Sequence, residues 1–134
     1  MSTFRNYPGG GGGGGYRMRF GGLVTPAIRN IIIACTVIFL VQTLLGLFAP
    51  TALNLVNREF GLVPHLVTHG LRLWQPVTYL FLHGGLWHLL FNMLFLWMFG
   101  CDIERSWGRR RMYNYFFLTG IGAALINILV KTII

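Results

Sequence analysis

The sequence predicts an all-α membrane protein, a polytopic helical bundle with about three transmembrane helices. Three observations carry this. The 134 residues are 54% apolar and 15% aromatic, too greasy for a soluble domain of this size once the apolar runs are located. One stretch, Leu73 to Cys101, has no Asp, Glu, Lys or Arg at all. The net charge of +8 is distributed as a membrane topology. Arg5, Arg17, Arg19 and Arg29 precede the first apolar run, and Arg105 and Arg109 to Arg111 follow the second; Arg58, Arg72 and Glu59 are all that lies between. The two basic segments would share one side of the bilayer, the cytoplasmic one by the positive-inside rule. That pattern excludes nucleic acid as the reason for the charge. Two cysteines, Cys35 and Cys101, make neither a disulfide framework nor a metal spacing.

Residues 1–27 read as a flexible Gly/Arg-rich cytoplasmic tail, with seven consecutive glycines at Gly9 to Gly15. Its spread-out arginines make a modest case for contact with anionic headgroups. Residues 28–134 read as a single transmembrane region. Its first helix is expected over about 28–48, with Pro26 near the start and Pro50 just beyond the end. The glycine-rich leader, the length of the apolar run and the lack of a small-x-small site argue against a cleaved signal peptide. Cys35 inside this helix is a small apolar filler rather than a reactive thiol, because desolvation disfavours the thiolate.

Thr51 to Arg72 is expected as an outside loop. It holds His65 and His69 at helical spacing, but Leu66 stands where a zinc-peptidase motif needs Glu, so the pair reads as interfacial histidines. Gly84-Gly85 interrupts the uncharged stretch, since two glycines make a poor helix interior. An irregular run up to His83 and then a helix over about 86–104 are therefore expected. Nineteen residues at ~1.5 Å give roughly 28 Å, enough to span the hydrocarbon. A third helix is expected over about 112–131, with Gly120, Gly122, Ala123 and Ala124 as a packing surface for close helix approach. The helix expects neighbours, and few are in sight in the sequence. Ile134 follows it directly with no capping signal, which reads as the N-terminal portion of something longer.

The chemistry lies in the second helix. His88 and Asn92 are four residues apart, hence on one face and one turn apart in depth. Polar side chains at such depth face a protein interior or a watery cavity. A metal site is disfavoured: His83 and His88 are five apart across the Gly-Gly break, and Asp102 and Glu104 sit at the other end of the helix. What remains is hydrogen-bond donation. Imidazole N–H and carboxamide N–H are neutral donors suited to a developing oxyanion. Asp102 and Glu104 sit at a helix C-terminus, where the macrodipole disfavours negative charge. They therefore ask for partners such as Arg105, Arg109 or another loop, unless solvent serves them.

The run His83-Gly-Gly-Leu-Trp-His88-Leu-Leu-Phe-Asn92, preceded by Trp74-Gln75 and followed by Glu104 and Gly108, resembles the second helix of the rhomboid intramembrane serine proteases. The likeness extends over the chain from about Ile28. It implies a bundle of six or seven helices, with the catalytic serine at the start of the fourth and its histidine on the sixth. It implies that His88 and Asn92 line the oxyanion hole, that His83 supports the same cavity, and that Trp74, Glu104, Gly108 and the arginine-rich turn are structural. No metal or cofactor is implied. The partners implied are transmembrane protein substrates in a lipid bilayer, and the setting an integral multi-pass protein of a bacterial plasma membrane, N-terminus cytoplasmic.

The sequence departs from that family in one respect. It contains no Gly-x-Ser, its serines are Ser2 and Ser106, and no histidine follows His88. A Ser-His dyad needs both groups within hydrogen-bond reach. The expectation is therefore a portion of an intramembrane endopeptidase that carries the oxyanion side of the site and is inactive alone. A non-catalytic rhomboid-like protein that binds client helices is the alternative, and a small three-helix scaffold a weaker third.

Overall fold

A computed structural model describes residues 22–133, so the tail expected over 1–27 lies, for residues 1–21, outside the described residues. Those described are helical throughout their regular structure. Among the described residues, three helices are long and apolar enough to cross a membrane: 26–48, 86–107 and 109–133.

Helix α1 spans Pro26–Phe48, with proline in its first turn, where the missing N–H costs nothing. Its inward stripe is Ile28, Ile31, Cys35 and Gln42, the three-and-four spacing of one helical face. The other faces, with Ile33, Val37, Leu40 and Leu44, are exposed, as lipid-facing positions must be. Ala49 closes α1 and Pro50 opens α2, Pro50–Phe60, in one sharp corner. Here the structure corrects the expected outside loop. Residues 51–72 hold α2 and a short α3, Pro64–Thr68, which carries His65 and puts His69 at its end with the two rings stacked 4.7 Å apart. The missed signal is Ala52, Leu53, Val56 and Glu59, whose turn-by-turn spacing puts them on the half-covered side of α2.

A short helix α4, Gln75–Thr78, and a 3₁₀ turn, Tyr79–Phe81, then lead to the Gly84-Gly85 break. The expected irregular run up to His83 is thus two tight turns. The second spanning helix has three parts: α5, Leu86–Phe95, a π-helical turn, Leu96–Gly100, and α6, Cys101–Trp107. Gly108 adopts φ 86° and ψ 161°, a backbone that L side chains rarely take, and reverses the chain. Helix α7, Arg109–Ile133, begins at once. Its start is three residues earlier than the sequence suggested. Arg109 to Arg111 form its first turn, because arginine is a good helix former and Gly108 alone makes the reversal.

Two small clusters hold the helices together. Ala27, Ile28, Cys101 and Met112 form one; Ile31, Cys35 and Leu89, flanked by Phe39, Phe81, Met93 and Phe116, form the other. Both cysteines are buried free thiols in these clusters. The small-residue face of α7 finds a partner within the chain. Ala124 and Ile128 are buried, and a Cβ at Gly120 would collide with the Leu80 side chain. Tyr79 Oη also donates to the Gly120 carbonyl at 2.6 Å. So the 3₁₀ turn, not another spanning helix, fills the notch at Gly120, while a Cβ at Gly122 would meet nothing within 4 Å.

Candidate active site

The singled-out residues fall into a scaffold group and a donor group. Glu104 resolves the puzzle of an acid at a helix C-terminus. Its carboxylate accepts from the Ala27 N–H at 3.0 Å and from the Ile28 N–H at 3.2 Å, across the bundle. These are orphan donors at the positive end of α1, so an acid that its own helix disfavours is stabilised by another helix. Asp102 instead pairs locally with Arg105 at 2.9 Å. The second Arg105 nitrogen donates to the Leu23 carbonyl at 2.7 Å, tying down the approach to α1.

At the other end, Trp74 and its neighbours fasten the end of α2. Trp74 Nε1 donates to the Glu59 carbonyl at 2.9 Å, and Thr78 Oγ1 to the Phe60 carbonyl at 2.7 Å. Gln75 is fully buried; its amide donates to the Arg58 carbonyl at 2.8 Å and accepts from the Val63 N–H at 3.0 Å. Orphan carbonyls at a helix end are thus satisfied by side chains from the next segment of chain. An Arg72–Glu59 pair at 2.7 Å lies beside them.

His83 is 5% exposed and turned inward. Its backbone N–H donates to Gln42 Oε1 at 3.2 Å, and its Nδ1 donates to the Phe81 carbonyl at 3.1 Å. That second bond fixes the tautomer and leaves Nε2 as an acceptor in the neutral ring. Burial pushes the imidazole below its ordinary pKa; the Phe81 bond opposes this, and His88 adds to it. The His83 and His88 rings sit 5.4 Å apart, centroid to centroid. His88 and Asn92 lie further on, along α5, and are exposed; among the described residues no hydrogen bond reaches either side chain. Of the sequence-predicted residues, His83 and His88 are therefore brought together, with Asn92 one turn further along. Glu104 and Gly108 stand at the far end.

A cleft of about 540 Å³ opens beside His83 between α1, α2 and the 3₁₀ turn, with Gln42, Asn57, Tyr79 and Gly84 on its walls. The sequence does not single out three of its polar residues, Gln42, Asn57 and Tyr79. For Gln42 the signal is present: an amide inside a run of apolar residues is as anomalous as Asn92.

Residues 70–133 match the family model of the Rhomboid domain, a span that holds His83, His88, Asn92, Glu104 and Gly108. RHOMBOID-like protein 5 of Arabidopsis thaliana is 34% identical over 87 residues, 64% of this chain and 26% of that protein. Rhomboid-like protease 3 of Toxoplasma gondii is 32% identical over 60 residues, 45% of this chain and 23% of that protein. Rhomboid protease AarA of Providencia stuartii is 35% identical over 54 residues, 40% of this chain and 19% of that protein. The chain thus spans about a fifth to a quarter of the length of these relatives. No solved structure matches. With the Rhomboid family model laid over residues 70–133, which hold the second and third spanning helices, and with rhomboid relatives 34% and 35% identical over part of the chain, the comparisons support a rhomboid-family protein.

Proposed function

We propose that these residues form the oxyanion side of an intramembrane serine endopeptidase that cleaves transmembrane helices. The observation that carries the reading is the pair His88 and Asn92. They are hydrogen-bond donors one turn apart on a spanning helix, exposed and without a hydrogen-bond partner among the described residues. A merely structural amide at that depth would be expected to have found one. Donors held free until a carbonyl oxygen becomes negative lower the transition state more than the ground state.

Nucleophile and base come from outside these 134 residues. Ser106 is fourteen residues beyond Asn92, about 21 Å along the helix at 1.5 Å per residue, so it cannot attack a carbonyl held there. The setting gives the substrate class, since a donor pair on a spanning helix meets peptide bonds that lie within or beside the bilayer. The arginine-rich end, Arg105 to Arg111, faces the cytoplasm in this reading. The word "protease" in the names of the relatives from Toxoplasma gondii and Providencia stuartii supports the class of reaction.

The test is Asn92→Ala in the complete protease. Loss of one oxyanion donor lowers kcat by roughly 10²–10³ with little change in KM. An Asn that only bridges helices would contribute on the order of 0.6 kcal/mol to stability. Normal turnover with a lowered melting point refutes the oxyanion role.

A further inference from the structure

Gln42 lies in α1, 8% exposed, and its amide works in two directions. Oε1 accepts the His83 backbone N–H at 3.2 Å, and Nε2 donates to Asn57 Oδ1 at 3.2 Å. One side chain thus joins three segments: the first spanning helix, the outer helix α2, and the turn that opens α5. All three residues line the same cleft.

The two glycines after His83 make the bond matter. Gly84 and Gly85 have no side chains, and a Cβ at either would meet nothing within 4 Å, so packing does not fix that turn. Gly85 is fully extended, and α5 begins only with the bond from the Leu89 N–H to the Gly85 carbonyl at 3.1 Å. Two unpacked glycines are a hinge, because each has a wide choice of φ and ψ. The tie at His83 is the last one before that hinge, and His88 stands three residues after it.

We propose that Gln42 is a positioning residue: it holds His83, and through it the start of α5, in register with the outer helix α2. The geometric half of this stands by itself. The functional half, that His88 and Asn92 are thereby aimed, rests on the oxyanion reading. A displacement of α2 is then transmitted through Asn57 and Gln42 to the turn that aims the donors.

The experiment uses amide hydrogen exchange of the 134-residue chain in detergent micelles, read at His83 with Leu89 as the control for folding. In Gln42→Met, which keeps the shape and loses both bonds, the His83 N–H exchanges about tenfold faster while Leu89 keeps its protection, as loss of one buried bond requires. Gln42→Glu still offers an acceptor, and Asn57 can turn its amide to donate to it, so protection returns. Asn57→Ala, which frees one end of the clamp, speeds His83 exchange by a few-fold and serves where Gln42→Met does not fold. In the complete protease, Gln42→Met lowers kcat about tenfold, leaves KM within about twofold, and is rescued by Gln42→Glu.

Unchanged His83 exchange in both Gln42→Met and Asn57→Ala overturns the clamp and leaves the oxyanion reading standing. Faster exchange with normal kcat, where Asn92→Ala does lower kcat, overturns the positioning role. Faster exchange where Asn92→Ala also turns over normally supports the clamp and sinks the oxyanion reading instead.

Discussion

Removing the Glu104 carboxylate is the sharpest test of how the bundle is closed. The Ala27 and Ile28 N–H groups are fully buried, and Glu104 is the side chain that satisfies them. Glu104→Ala leaves two buried donors unpaired at about 1–3 kcal/mol each, with water entering at the membrane edge to recover part of it. The net expectation is a loss of about 3 kcal/mol, larger than the typical ~1 kcal/mol for a lost helix cap because two helices are uncoupled as well. Arg109, at 3.9 Å and largely exposed, adds little by screening. Glu104→Gln keeps one oxygen and should lose about half as much. The assay is reversible unfolding of the purified chain in mixed micelles, followed by circular dichroism. Asp102→Ala serves as the control, since it breaks a partly exposed pair expected to contribute at most about 1 kcal/mol. A Glu104→Ala variant within about 0.5 kcal/mol of the parent refutes the cross-helix cap.

Three further outcomes are expected. Gly108→Ala should destabilise by about 1–2 kcal/mol through its φ of 86° alone, since a Cβ there meets no atom; Gly108→Asn should lose less, and equal stability of all three in the same unfolding assay counts against the backbone argument. Gly120→Val should cost about 1–3 kcal/mol by overlap with Leu80 and be partly rescued by Leu80→Ala, a coupling that a double-mutant cycle measures and that additive effects would disprove. Because burial lowers the His83 pKa in the fold, the unfolded chain binds its proton first as pH falls. The His83 contribution to stability is therefore complete above about pH 6.5, is lost as pH drops through the unfolded value, and levels off below the lower folded one. Melts of the parent and His83→Gln across that window should converge toward acid; parallel curves would refute it.

Much of the architecture was open to sequence reasoning because bilayer physics is strict. A spanning helix must be long and uncharged, so 26–48, 86–107 and 109–133 announce themselves within a few residues. What stayed hidden were contacts between residues far apart in the chain. That Glu104 needed a partner came from the macrodipole, but that the partner was the start of α1 required the crossing of two helices. Likewise the composition of α7 advertised close packing at Gly120 and could not say that Leu80, from a 3₁₀ turn, would fill it. Within the site, spacing alone put His88 and Asn92 on one face. It could not turn His83 inward, because that depends on Gln42 and Phe81.

The π-helical turn at Leu96–Gly100 bears on timing along the second helix as much as on shape. At about 100° per residue, Cys101 lies twelve residues after Leu89 and would point about 120° away from it on an unbroken α-helix. One extra residue absorbed in a turn sets the phase back by about 100°, which brings Cys101 to about 20° from Leu89 and Glu104 from about 60° to about 40° on the other side. The turn works as a phase shifter: a donor-bearing half and an anchoring half, each needing its own azimuth, share one continuous helix. Regularising the turn to α-helix at unchanged length would swing Glu104 by about 100° away from the start of α1 while His88 and Asn92 kept their outlook. The turn ends at Gly100, where a Cβ would stand 2.5 Å from Ile28 Cδ1, so the missing side chain leaves the space that Ile28 of α1 fills.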